Sequence, residues 1–273
     1  MSPKIATIAG LYPAALAEGE GIGTAYEYFV KLRKLKKFIA GMEKPRRVLI
    51  AGLPERYGLS LDFFLLAHTL GADVLVVDER KESLDRARQA VDVLMSRSLA
   101  AEMKVNFVRA EAPGAWGEMG RASSRPFDLA LACEVFQRLE GSRRPYLSGL
   151  EVLAKNIALF VPNGENDSHT KLSGLRGVSL EELQSFFRKP GSPWTIVDSG
   201  YVDIPPFPPG AKRSQAKRNR AAESRFERLL MKGLEAFGRG ERFMPKFFKK
   251  SRAHIVYVMA RNGRLCGPKE KGK

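Results

Sequence analysis

Five short, almost wholly apolar runs recur along this chain: 47–53 (RVLIAGL), 73–78 (DVLVVD), 104–109 (KVNFVR), 128–133 (DLALAC) and 156–161 (NIALFV). A strand with one wet face alternates apolar and polar residues. A run apolar on both faces belongs to a strand covered on both sides, as in a parallel sheet between helix layers. Amphipathic helical patterns at 60–70, 82–99, near 114–121 and at 143–154 separate the runs and supply the crossovers. This alternation, with right-handed connections, predicts a doubly wound α/β fold on an open, mostly parallel sheet.

The flanks add further elements. Tyr26, Phe29, Leu32, Leu35, Phe38 and Ile39 form an apolar stripe at helical spacing, read as a helix covering the sheet edge or the cleft. Leu180, Leu183, Phe186 and Phe187 mark another helix. Strands follow at about 194–202 and 253–260, and between them stands the stiff spacer Pro205-Pro206-Phe207-Pro208-Pro209. A helix is expected over about 221–237, with Phe226, Leu229, Leu230, Leu234 and Phe237 on one face. The division drawn from this is an N-terminal helical segment (1–46), a doubly wound domain (47–203 plus 253–262) and an inserted spacer with a basic helical stretch (204–252).

Charge is distributed unevenly. The net charge is +16, yet residues 1–203 carry 27 Lys and Arg against 25 Asp and Glu, and residues 204–273 carry 19 against 5. The basicity belongs to the C-terminal quarter, which points to a polyanionic partner. Two cysteines and three histidines, none in a ligand spacing, give no expectation of a disulfide framework or a metal site. No run reaches membrane-span length and no signal-peptide order is visible, so the expectation is a soluble, cytoplasmic chain.

In a doubly wound sheet the ligand sits beyond the carboxyl ends of the strands, where strand order reverses. The first such end is the loop 51–58 (AGLPERYG), leading to a helix with Ser60 as its N-cap. Gly52 is read there as a residue whose missing Cβ lets a ligand approach the backbone. Asp78 closes the second strand, placed to accept two hydrogen bonds from ribose hydroxyls. A nicotinamide dinucleotide needs G-x-G-x-x-G for its pyrophosphate, and the loop lacks it. S-adenosylmethionine has no phosphate and tolerates a more varied loop.

Segments 47–58, GADVLVVDERKESLDRAR (71–88), VRAEAP (108–113), FDLALACEVFQRLE (127–140) and NIALFVPNG (156–164) resemble the class I, Rossmann-like S-adenosylmethionine-dependent methyltransferases. The resemblance implies a seven-stranded sheet closed by an antiparallel strand, which 253–260 supplies. It assigns Gly52 and its loop, with Pro54 and Gly58, to the cofactor's methionine part, Asp78 to the ribose and Glu111 to the adenine, and it counts Glu79 and Glu134 among the cofactor-binding residues. Glu134 falls beside the methyl-transfer cleft and is the candidate catalytic residue. The chain departs from the family at Ile50, where an acid is usual, and at Pro54-Glu55-Arg56, which replace a glycine-rich stretch.

Methyl transfer from a sulfonium needs mainly proximity, so no general base has to be advertised. Cys133 reads as a buried structural thiol, and His169, in a polar loop over 163–171, as a solvated histidine or a base. Residues 211–252 hold 14 Lys and Arg against four Glu. Lys212, Arg213, Lys217, Arg218 and Arg220 are expected to grip phosphates, and Phe247 and Phe248 either stack on unpaired bases or face the core. The expectation is a methyltransferase acting on RNA (rRNA or tRNA) or a ribonucleoprotein. A small-molecule methyltransferase and a non-catalytic methyltransferase-like RNA-binding protein are the alternatives.

Overall fold

A computed structural model describes residues 6–56, 58–110, 125–204, 206 and 225–266. Seven strands form one sheet: β1 (Arg47–Ala51), β2 (Asp73–Asp78), β3 (Val105–Arg109), β4 (Leu129–Cys133), β5 (Asn156–Pro162), β6 (Trp194–Val202) and β7 (Ile255–Asn262). Their order is β3-β2-β1-β4-β5-β7-β6. Strands β1 to β5 pair in parallel, and β7 runs antiparallel to both β5 and β6. The helices are α1 (Ile8–Ala17), α2 (Ile22–Ile39), α3 (Leu61–Leu70), α4 (Lys81–Ser96), α5 (Arg143–Leu153), α6 (Asp167–Ser173), α7 (Leu180–Phe187), α8 (Arg225–Gly240), α9 (Lys246–Arg252) and the short α10 (Gly263–Cys266). The doubly wound expectation holds, and the last strand starts and ends two residues later than the apolar run. The helix sought near 114–121 lies outside the described residues.

Alternate residues of each central strand feed two cores. Val48, Ile50, Val74, Val76, Leu129, Leu131 and Cys133 pack under α1 to α4 and α8. Leu49, Ala51, Val77, Ala130 and Ala132 pack under α5 and α7 on the other face. This two-sided burial is why β1, β4 and β5 are apolar throughout. The edge strand β3 is half-exposed along its length.

The basic insertion ends as part of this body. Helix α8 lies on α1 and α2, with Met231 and Leu234 buried. The Ile8 amide donates to Glu235 Oε1 (2.9 Å) and Arg33 Nη1 to the Gly238 carbonyl (2.7 Å). Gly238 permits the approach, because a Cβ there would stand 3.1 Å from Tyr26 and Val30. Part of the expected face is turned inward: Leu234 is buried and Phe237 packs against the core, whereas Leu229 is 69% exposed and Leu230 36%. The inward face also carries Glu227 and Glu235, and Glu235 finds a partner in α1.

Helix α2 is buried on nearly every side, so it must also bury a cation. Lys31 is fully buried, with Nζ 2.7 Å from Glu27 Oε1, 3.4 Å from Asp62 Oδ1 and 3.5 Å from Cys133 Sγ, over the rings of Tyr28 and Phe63. Burial alone lowers a lysine pKa, but the charges of Asp62 and Glu27 outweigh it and hold the ammonium well above its ordinary value. Removing one member of a buried pair strands the other. Lys31→Met is therefore expected to cost about 3–5 kcal/mol in denaturant unfolding. Adding Asp62→Asn to it should recover at least half of that loss. A single variant as stable as the parent contradicts a charged Lys31.

Candidate functional site

Strand order reverses between β1 and β4, so the crevice opens at their carboxyl ends. Three of the five described non-glycine residues at positive φ lie on this edge, Ser60 (φ 55°), Glu134 (φ 53°) and Asp203 (φ 66°); the other two, Ser98 and Glu102, precede β3. Such conformations cost energy and cluster at functional sites.

Asp78 is fully buried at the end of β2. Its Oδ2 accepts from the Leu53 amide (2.7 Å), Arg80 Nη2 (2.8 Å) and Arg138 Nη2 (3.2 Å). Its Oδ1 accepts from the Arg80 amide and Arg80 Nε, each at 2.8 Å. Burial raises a carboxyl pKa, but the bonds from Arg80 and Leu53 outweigh it and hold Asp78 below its ordinary value. Arg80 Nη2 also donates to the carbonyls of Leu53 (2.7 Å) and Pro54 (3.3 Å). Glu79 pairs with Arg138, which thus bridges both acids.

The glycines of the first loop serve packing. Gly52 has φ 97°, and a Cβ there would meet the Val135 methyls at 2.8 and 2.9 Å. The room it leaves belongs to the turn after β4. Gly58 has φ 63°, and its Cβ would fall 2.3 Å from Glu18 Oε2. Glu18, just past α1, accepts from the amides of Leu59 (2.8 Å) and Leu61 (2.7 Å). It therefore caps α3 in place of Ser60, whose left-handed backbone makes no side-chain cap. What remains between Glu18, Thr24, Glu27, Tyr28, Gly58, Ser60, Cys133 and Glu134 is a cavity of about 20 Å³, room for roughly one water.

Glu134 follows β4 directly and lines that cavity, its amide bonded to the Phe160 carbonyl (3.0 Å) and its carbonyl to Gln137 Nε2 (2.7 Å). Cys133 is buried, and burial first of all pushes its thiol up, so it is no nucleophile at neutral pH. A cavity of about 690 Å³ opens between Gly41, Asp128, Lys155, Arg261 and Cys266. It lies at the amino edge of the sheet, away from the switch point.

Toward β7, the sequence reading missed a second cluster. His254 Nδ1 lies 3.1 Å from Asp203 Oδ2, and its ring stacks on His169 at 4.0 Å between centroids. His169 is on α6 rather than in a solvated loop. Burial, then the neighbouring His254, lowers its pKa to about 4. Burial opposes charge on His254 too, but Asp203 outweighs it and raises the value. Asn163 and Asn166 next to this cluster hold the carbonyls of Lys250, Arg252 and Ala253 (2.8–3.2 Å), fixing α9 to the carboxyl edge.

On α9 and the turn before it, Phe243 is 76% exposed, Phe247 77% and Phe248 40%. None of them is a core residue. Arg242, Lys246, Lys249 and Lys250 stand among them. Glu111 and Lys212, Arg213, Lys217, Arg218 and Arg220 lie outside the described residues. Among the described residues, no group of three or more His, Cys, Asp or Glu is placed to hold a metal, and no helix is long and apolar enough to cross a membrane.

No protein-family model matches the chain, and no curated relative matches it in sequence. Solved structures do match in shape. The plantazolicin methyltransferase BpumL in complex with SAH aligns at a TM-score of 0.52 and 15% identity over 95% of both chains. Its complex with a pentazolic desmethylPZN analog and SAH aligns at 0.52 and 14%, over 87% of this chain and 85% of that one. The chain has the class I methyltransferase fold.

Burial pushes the Glu18 carboxyl up to about 7, against the bonds from Tyr28, Leu61 and Leu59 that lower it. The folded chain thus binds this proton more tightly than the unfolded chain, whose value is near 4.5. Its stabilising contribution is complete below that value, falls as pH rises to about 7, and is then flat. Asp62 and Glu241 titrate in the same window, so the readout is a difference between proteins. Unfolding free energies of the parent, relative to Glu18→Gln, should fall by on the order of 1–3 kcal/mol across that window. Parallel profiles contradict a buried, proton-holding Glu18.

Proposed function

We propose that the chain is an S-adenosylmethionine-dependent methyltransferase acting on RNA. The observation that carries the substrate class is the row of solvent-exposed phenylalanines among cations on α9, fixed beside the carboxyl edge of a methyltransferase fold. Cations neutralise phosphates and exposed rings stack on unpaired bases, so one surface serves both parts of a single strand.

The residues at the switch point suit the cofactor chemically. Asp78 offers carboxylate oxygens where ribose hydroxyls need acceptors, and the Leu59 and Leu61 amides at the start of α3 suit a carboxylate. Each handle is held in this structure by a side chain of the protein itself, Arg80 on Asp78 and Glu18 on α3. S-adenosylmethionine supplies an already activated methyl group, so the chain has to bind, orient and keep water out. Glu134 borders the same space and is the proposed catalytic residue. A second reading, a non-catalytic methyltransferase-like RNA-binding protein, is favoured by the saturation of Asp78.

Incubation with tritiated S-adenosylmethionine and total RNA is expected to place label in one nucleotide. RNA bound with no label transferred supports the non-catalytic reading, and neither binding nor transfer leaves a small-molecule methyltransferase. Affinity for single-stranded RNA should fall steeply with salt. Changing Lys212, Arg213, Lys217, Arg218 and Arg220 together to Gln should flatten the slope by about 0.7 for each phosphate that is no longer neutralised. Phe247→Ala, at a position too exposed to disturb the core, should weaken binding by about 1–3 kcal/mol with little change in slope. Unchanged affinity in both variants rejects RNA as the partner of this surface.

A further inference from the structure

Asp78 receives five N–H groups, although a carboxylate has about four lone-pair sites. A ribose that uses this acid adds a donor to each of the two oxygens, seven in all, whereas exchanging two hydroxyls for two N–H groups keeps the count at the five the acid already carries. Some donor has to leave. The amides of Leu53 and Arg80 are backbone and stay with the loop and strand end. Arg138 is anchored a second time, by both oxygens of Glu79, and its side chain is 13% exposed. The Arg80 side chain is 27% exposed, and its remaining partners are two loop carbonyls that water can satisfy instead.

The geometry of the Arg80 fork matters as much as its freedom. Nε donates to Oδ1 and Nη2 to Oδ2, each at 2.8 Å. One donor on each oxygen is the pattern a vicinal diol makes on a carboxylate. We propose that Arg80 is an internal competitor for the nucleoside: its guanidinium stands where the ribose hydroxyls bind, and the cofactor enters by displacing it. The proposal rests on the reading that this fold binds an adenosyl cofactor, and it names the residue that sets the affinity. Arg138 makes the exchange electrostatically tolerable. When Arg80 swings to solvent, Arg138 remains on Oδ2, so the buried carboxylate keeps a cationic neighbour. Arg80 also bridges the loop carbonyls of Leu53 and Pro54, so its departure releases the loop that the methionine end must meet. A site closed by its own side chain binds more weakly by the fraction of time it is open.

The test is calorimetric titration of S-adenosylhomocysteine into the full chain and its variants. Arg80→Ala is expected to bind at least tenfold more tightly than the parent. Asp78→Asn added to Arg80→Ala should abolish that gain, because the gain arises on the carboxylate. Arg80→Lys, which keeps the charge but loses the fork, should gain less than Arg80→Ala and covers the case in which the alanine variant does not fold. A measurable parent affinity that is unchanged or weakened in Arg80→Ala and Arg80→Lys overturns the proposal and leaves the cofactor reading standing. Absence of binding in the parent and every folded variant overturns both.

Discussion

One buried carboxylate organises the carboxyl edge of this molecule. Asp78 ties the end of β2 to the loop after β1 through the Leu53 amide, and to the turn after β4 through Arg138. Three elements distant in sequence thus converge on two oxygen atoms. An isolated buried carboxylate is costly, and it stays ionised only because the surrounding N–H groups and two guanidiniums outweigh the lost hydration. Neighbouring features follow from that knot. The loop 51–58 can do without a glycine-rich stretch, because Arg80 pins it from outside by its carbonyls. Gly52 is needed there both for its φ of 97° and to admit Val135.

The same principle operates one layer further in. Helices α1 and α2 close over the sheet, yet they carry Glu18, Glu27 and Lys31 into the interior against Asp62 and the start of α3. Such groups add little net stability compared with a well-packed apolar core, and they make the packing intolerant of change. Glu18 at the α3 N-terminus and Arg80 on Asp78 are alike in kind. In each case a side chain of the protein satisfies a group that faces the cleft.

The fold was legible in the sequence because burial on both faces writes itself into composition: β1, β4 and β5 could not be wet strands. Asp78 was found by its position after an apolar run. Its neighbours were not. Arg80 lies two residues on, but nothing in a linear pattern says that a guanidinium folds back onto the preceding acid. Arg138 comes from an element 60 residues further on, and Glu18 reaches the start of α3 from 43 residues before Leu61. The pairing of His254 with Asp203 depends on the register of β6 and β7, which brings two termini together across 51 residues. Exposure was equally illegible: Phe247 and Phe248 read as core or as platform until α9 was placed, and Leu229 turned out to face solvent.

The basic quarter and the cleft meet at Asn163 and Asn166, which grip α9 by its last carbonyls beside the end of β5. That junction fixes α9 on the same edge of the sheet as Glu134. In the proposal a nucleoside binds at Asp78, and a crystal structure of the chain with S-adenosylhomocysteine tests this most directly. The account predicts both ribose hydroxyls on the Asp78 oxygens, with Arg80 turned to solvent and Arg138 unmoved. A complex in which Arg80 still forks Asp78 and the ribose touches neither oxygen would contradict it.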